Sequence, residues 1–180
     1  MAKPLRAAIA VAGILTVAIV GTLMLNCLLV GRPVDAALRE DPRNTGFDLS
    51  ARFGSYVRFD ILVLDLRSAE EASPADLWRG VLQSAAALDE HGRSFEAVIL
   101  ARRGTEVFRL TGLDFAWLGA EYRMGQNPLY LVRKLPSKLY QPDGSPAYGE
   151  WTGGWLGVLG QEMSDVVDAA RTWVGPDRAL

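Results

Sequence analysis

At 180 residues the chain is long enough for one hydrophobic core and short for two. Its single histidine and single cysteine fall short of the three or four nitrogen and sulfur ligands of a zinc site, and a net charge of −2 supplies no general attraction to nucleic acid or to an anionic membrane. Five Trp, five Tyr and six Phe, most of them after residue 47, argue against disorder.

From Ala7 to Gly31 the chain runs 25 residues with no ionisable side chain except Cys27. As a helix this segment is roughly 37 Å long, enough to cross a hydrocarbon layer of ~30 Å. Thr16 and Thr22 can bond back to the preceding helical turn, and Asn26 falls near the end of the span, where headgroups and water are close. A cleaved secretory signal has a shorter apolar core, of ~7–15 residues, and Val34-Asp35-Ala36 is a weak cleavage site. A lipoprotein signal at Cys27 would have Asn26, larger and more polar than usual, before the acylated residue. An uncleaved anchor is the reading adopted, with the lipid bilayer as partner through residues 7–31. Lys3 and Arg6 in the short N-terminal tail favour a cytoplasmic N-terminus, although Arg32, Arg39 and Arg43 nearly balance them on the other flank. The expected location is the inner (plasma) membrane, single-pass, with the C-terminal domain outside the cytoplasm. Residues 1–32 are thus tail and anchor, 33–52 a linker rich in Pro, Asp and Gly, 53–175 the domain and 176–180 a tail.

Tyr56 to Leu66 alternates as a first strand, apolar on both faces toward its end and therefore central in its sheet. Ser73-Pro74-Ala75-Asp76 starts a helix: Ser73 caps, Pro74 takes the first position and Asp76 completes a capping box. Leu77, Val81, Ala85 and Leu88, widened by Trp78 and Leu82, form its buried stripe, and Gly92 ends it. Phe95–Arg102 and Thr105–Thr111 form a hairpin around Arg103-Gly104, and Leu113–Tyr122 a short helix. Asn127-Pro128 could cap a helix over Leu129–Lys134, but Tyr-Leu-Val ahead of Pro136 favours a strand, which is the choice made. Residues 136–150 read as loop, and Leu156, Leu159, Met163, Val166, Val167, Ala170 and Trp173 as the stripe of a final helix. The fold class is α/β (α+β): a transmembrane helix, then one domain with a mixed sheet of about four strands in the order β-α-β-β-α-β-α, compatible with a ferredoxin-like arrangement.

No constellation of catalytic residues emerges, and no cofactor or metal motif. His91 reads as a last-turn histidine favoured by the helix dipole. Asp60 and Asp65, five apart on a strand, point to opposite faces. Asp114, Glu121, Glu150, Glu162 and Asp165 could converge from helices and loops, which leaves a carboxylate hydrolase working in the 112–155 loops as the alternative function.

Two segments carry the binding expectation. Tyr122, Arg123, Tyr130, Arg133, Lys134, Lys138 and Tyr140 combine four cations with three tyrosines, with no acid between 122 and 140. Such a run can hold a protein partner, an anionic headgroup or a glycan, and the bland reading is a solvated strand edge. The second segment, Trp151, Gly153, Gly154, Trp155 and Gly157, suggests an interface: its glycines permit close backbone approach, to the sheet beneath or to another chain, and its tryptophans could reach a membrane surface. The sequence therefore points to a membrane-anchored binding or assembly module of the cell envelope that takes no nucleic acid.

Overall fold

The computed structural model describes residues 2–175. Helix α1 (Ala2–Asn26) does not stop at a linker. A π-helical turn (Cys27–Gly31) carries it directly into α2 (Arg32–Glu40). The Arg32 N–H bonds to the Cys27 carbonyl, five residues back, and this wider turn makes room for Pro33, which would otherwise clash with a carbonyl of the preceding helical turn. The expected Thr contacts are present, with the Thr16 and Thr22 hydroxyls each donating to the carbonyl four residues back at 2.9 Å.

Residues 33–52, expected as a linker, instead form α2, a 3₁₀ turn (Pro42–Gly46) and most of strand β1 (Asp48–Gly54). Val34, Leu38, Leu49 and Phe53 belong to the core. The strand was masked by its own composition: Leu49, Ala51 and Phe53 alternate inward, but Ser50 and Arg52 between them and the flanking Asp48 and Gly54 look like turn formers.

Strands β1, β2 (Arg58–Ser68), β3 (Ala97–Arg102) and β4 (Thr105–Thr111) form a four-stranded mixed sheet in the order β1-β2-β3-β4. The outer pairs are antiparallel, and β2 and β3 are parallel neighbours joined through α3 (Pro74–Glu90). Strand β2 is central, as its two apolar faces imply. Because no strand separates β2 from β3, the split unit of a ferredoxin-like sheet is not realised.

Register places Leu62, Leu64 and Leu66 beside Val98 and Leu100, with Leu110 and Phe108 next to them, all on the face that receives the helices. Helix α3 meets them with Leu77, Trp78, Val81, Leu82, Ala85 and Leu88, and begins with the anticipated Ser73–Asp76 capping box. The Arg103-Gly104 turn has positive φ at both residues, and its Gly104 N–H bonds to the Asp65 carboxylate at 2.9 Å, which accounts for a buried acid on β2. Asp60 is instead exposed and paired with Arg58.

Three helices follow: α4 (Gly112–Arg123), α5 (Pro128–Lys134) and α6 (Trp155–Val174). Leu129–Lys134 is therefore helix, not strand. The Asn127 side chain accepts from the Leu129 N–H at 2.9 Å and Pro128 takes the first helical position, so local capping outweighs the β-favouring Tyr-Leu-Val. Helix α6 docks through Trp173, stacked on Trp78 at 5.5 Å; their indole N–H groups donate to the Ala101 and Val166 carbonyls, both at 2.9 Å. The expected tail, 176–180, lies outside the described residues.

Candidate functional site

Beyond the β4 edge of the sheet, the segment after α4 folds back, and Tyr140 makes a β-bridge to Arg109. This places α5, the 3₁₀ turn Pro136–Lys138 and the 139–154 loop against α6, leaving a cleft of about 310 Å³ between them. Of the residues singled out from the sequence, Tyr130, Arg133, Lys134, Lys138 and Trp151 all line it, joined by Trp117 of α4 and the carboxylates Glu150, Glu162 and Asp165.

Glu162 organises the floor. It sits on the buried stripe of α6, and its side chain is only 8% exposed. Arg133 donates to it from Nε at 2.8 Å and Lys134 from Nζ at 2.7 Å. Burial alone would push the Glu162 carboxyl up, but the Lys134 ammonium and Arg133 guanidinium outweigh it and hold the carboxyl below its ordinary range. Lys138 pairs with Asp114 at 3.1 Å and stands over the Trp117 ring, 5.9 Å from its centroid. The Trp151 indole donates to Asp165 at 2.6 Å. Three cations therefore face three carboxylates in the cleft lining, among three aromatic side chains.

The remaining tyrosine and arginine candidates are elsewhere. Arg123 pairs with Asp89 of α3 at 2.8 Å, and Tyr122 packs against the core. Tyr140 contributes its backbone to the β4 edge. Each cation between 122 and 140 is thus paired with an acid from elsewhere in the chain, Asp89, Asp114 or Glu162, the last shared by Arg133 and Lys134.

Of the two uses expected of the second segment's glycines, packing within the chain is the one the structure describes. A Cβ built at Gly154 or Gly157 would meet nothing within 4 Å, and Gly153 is open too, with φ +138°. These glycines make no close approach among the described residues. Close approaches occur instead at Gly46, Gly54 and Gly80, at Gly112, against the Phe95 carbonyl, and at Gly119, whose added Cβ would lie 2.5 Å from the Ala85 carbonyl oxygen where α4 crosses α3. Trp151 is half-exposed at the cleft mouth, while the side chain of Trp155 lies outside the described residues.

Sequence reasoning grouped Glu162 with four other acids but did not give it its partners, and it passed over Trp117. A signal for Glu162 was present: it falls on the same helical stripe as Leu159, Val166 and Trp173, and an acid there needs a cation. The chain matches no protein-family model, no curated protein and no solved structure.

Proposed function

We propose that this protein is a binding module of the cell envelope, anchored in the inner membrane by α1 with its folded domain outside the cytoplasm, and that the Glu162 cleft holds its ligand. The convergence of Tyr130, Arg133, Lys134, Lys138 and Trp151 on one concavity is the observation that carries this reading. The anchor rests on α1, one N-terminal helix long and apolar enough to cross a membrane.

Among the ligand classes such residues can hold, a glycan fits best. The cations are already paired, so an added anion gains little from them. Trp117, Tyr130 and Trp151 supply flat apolar faces, and the alternating charges supply donors and acceptors for hydroxyl groups. A hydrolytic role for the same cleft is less well supported. Glycoside cleavage by two carboxylates needs one acid that keeps its proton near neutral pH, whereas Glu162, the most buried acid of the cleft, is held ionised.

The test is titration of the full chain in lipid nanodiscs with neutral and anionic oligosaccharides, followed by tryptophan fluorescence. Neutral sugars should bind, and Tyr130→Ala combined with Trp151→Ala should weaken them by about 5- to 150-fold, from two aromatic contacts of about 0.5–1.5 kcal/mol each. Absence of sugar binding, or equal binding by the double variant, would remove the proposal.

A further inference from the structure

The turn between β1 and β2 is built in an unusual way. Ser55 and Tyr56, neither of them glycine, have φ of 47° and 61°, a left-handed conformation that costs about 1–2 kcal/mol per residue. Asn26, the last residue of α1, holds them there. Its amide donates to the Tyr56 carbonyl at 2.8 Å and its oxygen accepts the Phe53 N–H at 2.8 Å. Asn26 is only 5% exposed, so it is not the water-facing residue its position near the end of the span implied. Its bonds clamp the hairpin tip alongside the apolar helix.

The clamp sets two apolar side chains of the tip against the helix. Tyr56 and Val57 line a groove with Ala18, Ile19, Thr22 and Leu23 of α1. Val57 is 62% exposed, and Phe59 is also open to solvent. Leu113, 86% exposed, follows β4 at the same end of the sheet, where the Gly112 N–H bonds to Glu96 and the Glu96 N–H to Asp60. From Asn26 back to Ala18 is about 12 Å along the helix, so the tip reaches beyond the point where the helix leaves the domain.

We propose that the Ser55–Phe59 hairpin tip is a second membrane-contacting element that lies in the lipid interface beside α1 and sets the attitude of the domain on the bilayer. The occupant of the groove is lipid, because the groove's other wall is the helix that spans the membrane. Ile19 and Leu23 are open to solvent on that wall, as is Val57 facing them. An apolar element buried ~5–10 Å at the headgroup and acyl boundary is the ordinary depth of an interfacial anchor. Asn26 and Val30 are buried in the domain, so beyond Leu25 only one side of the helix, with Leu28, stays open for lipid. The inference rests on the membrane reading of α1 and is independent of the cleft.

The experiment uses the full chain carrying Cys27→Ser, with single cysteines introduced by Val57→Cys, Met24→Cys or Thr105→Cys, each labelled with an environment-sensitive fluorophore. Each is reconstituted in phosphatidylcholine vesicles containing lipids with a nitroxide high on the acyl chain. The label at 57 should shift to the blue and lose fluorescence to the nitroxide about as much as the label at 24, while the label at 105, in the distal β3–β4 turn, should do neither. Quenching at 24 with a water-exposed label at 57 would overturn the inference and leave the anchor intact. A blue-shifted but unquenched label at 57 would place protein, not lipid, over the tip and would also overturn it. Failure at both 24 and 57 would instead remove the anchor itself.

Discussion

Glu162 joins side chains that are remote in sequence into one cleft floor. Arg133 and Lys134 lie 29 and 28 residues before it, and both reach it only because α5 and α6 pack together. Replacing Glu162 with Gln should leave two cations with a single neutral partner in a largely buried site. We expect a loss of about 3 kcal/mol in chemical denaturation of the detergent-solubilised chain, near the low end for a broken buried ion pair because Lys134 stays partly exposed. The pH dependence has a definite sign. A carboxyl held below its ordinary value, 4.5 for Glu, contributes stability that is present above that value and is lost as pH falls through the folded one. The native protein should therefore lose stability below pH ~4.5 more steeply than Glu162→Gln, and equal acid limbs would contradict this. Asp41, Asp60, Asp76 and Asp143 are held low as well, chiefly by hydrogen bonds and nearby cations, so the difference between the two proteins isolates Glu162.

Among the elements, those with both a pattern and a boundary signal were legible. Helix α3 has its capping box and its stripe, and β3 and β4 have their alternation and the Arg103-Gly104 turn. Helix α5 was misread because a seven-residue element has too few turns to show a period, and only its Asn127 cap favoured helix. The cleft was legible as residue types but not as a place: its acids come from α6 and the loop between α5 and α6, its aromatics from α4, α5 and that loop, and sequence spacing does not report such pairings. The glycines show the same limit, since composition reveals flexibility but not what stands opposite. Gly119→Ala should destabilise by about 1–3 kcal/mol, because the added carbon meets Ala85 backbone that cannot swing away. Gly157→Ala, on an open face of α6, should instead gain up to about 1 kcal/mol from helix propensity. Thermal or chemical denaturation of both variants checks the pair, and the reverse order would refute the assignment of close contacts.

At the scale of the whole molecule, the join between α1 and α2 matters most. A flexible linker would leave the domain free to tumble relative to α1. A helix that runs without interruption through a π-helical turn, buries Val30, Val34 and Leu38 in the core and is tied to the β1–β2 hairpin by Asn26 holds the domain in one orientation. The sequence suggested the opposite because Pro33 and the acids after it resemble a tether, and the core that receives Val34 and Leu38 is formed by residues 47 and beyond. Hydrogen exchange of the full chain in nanodiscs, read over residues 27–40, tests this coupling most directly. Amides of Cys27–Glu40, Pro33 aside, should be protected to a degree comparable with α3. Exchange there as fast as in an unstructured peptide would contradict a continuous helix and uncouple the domain from α1.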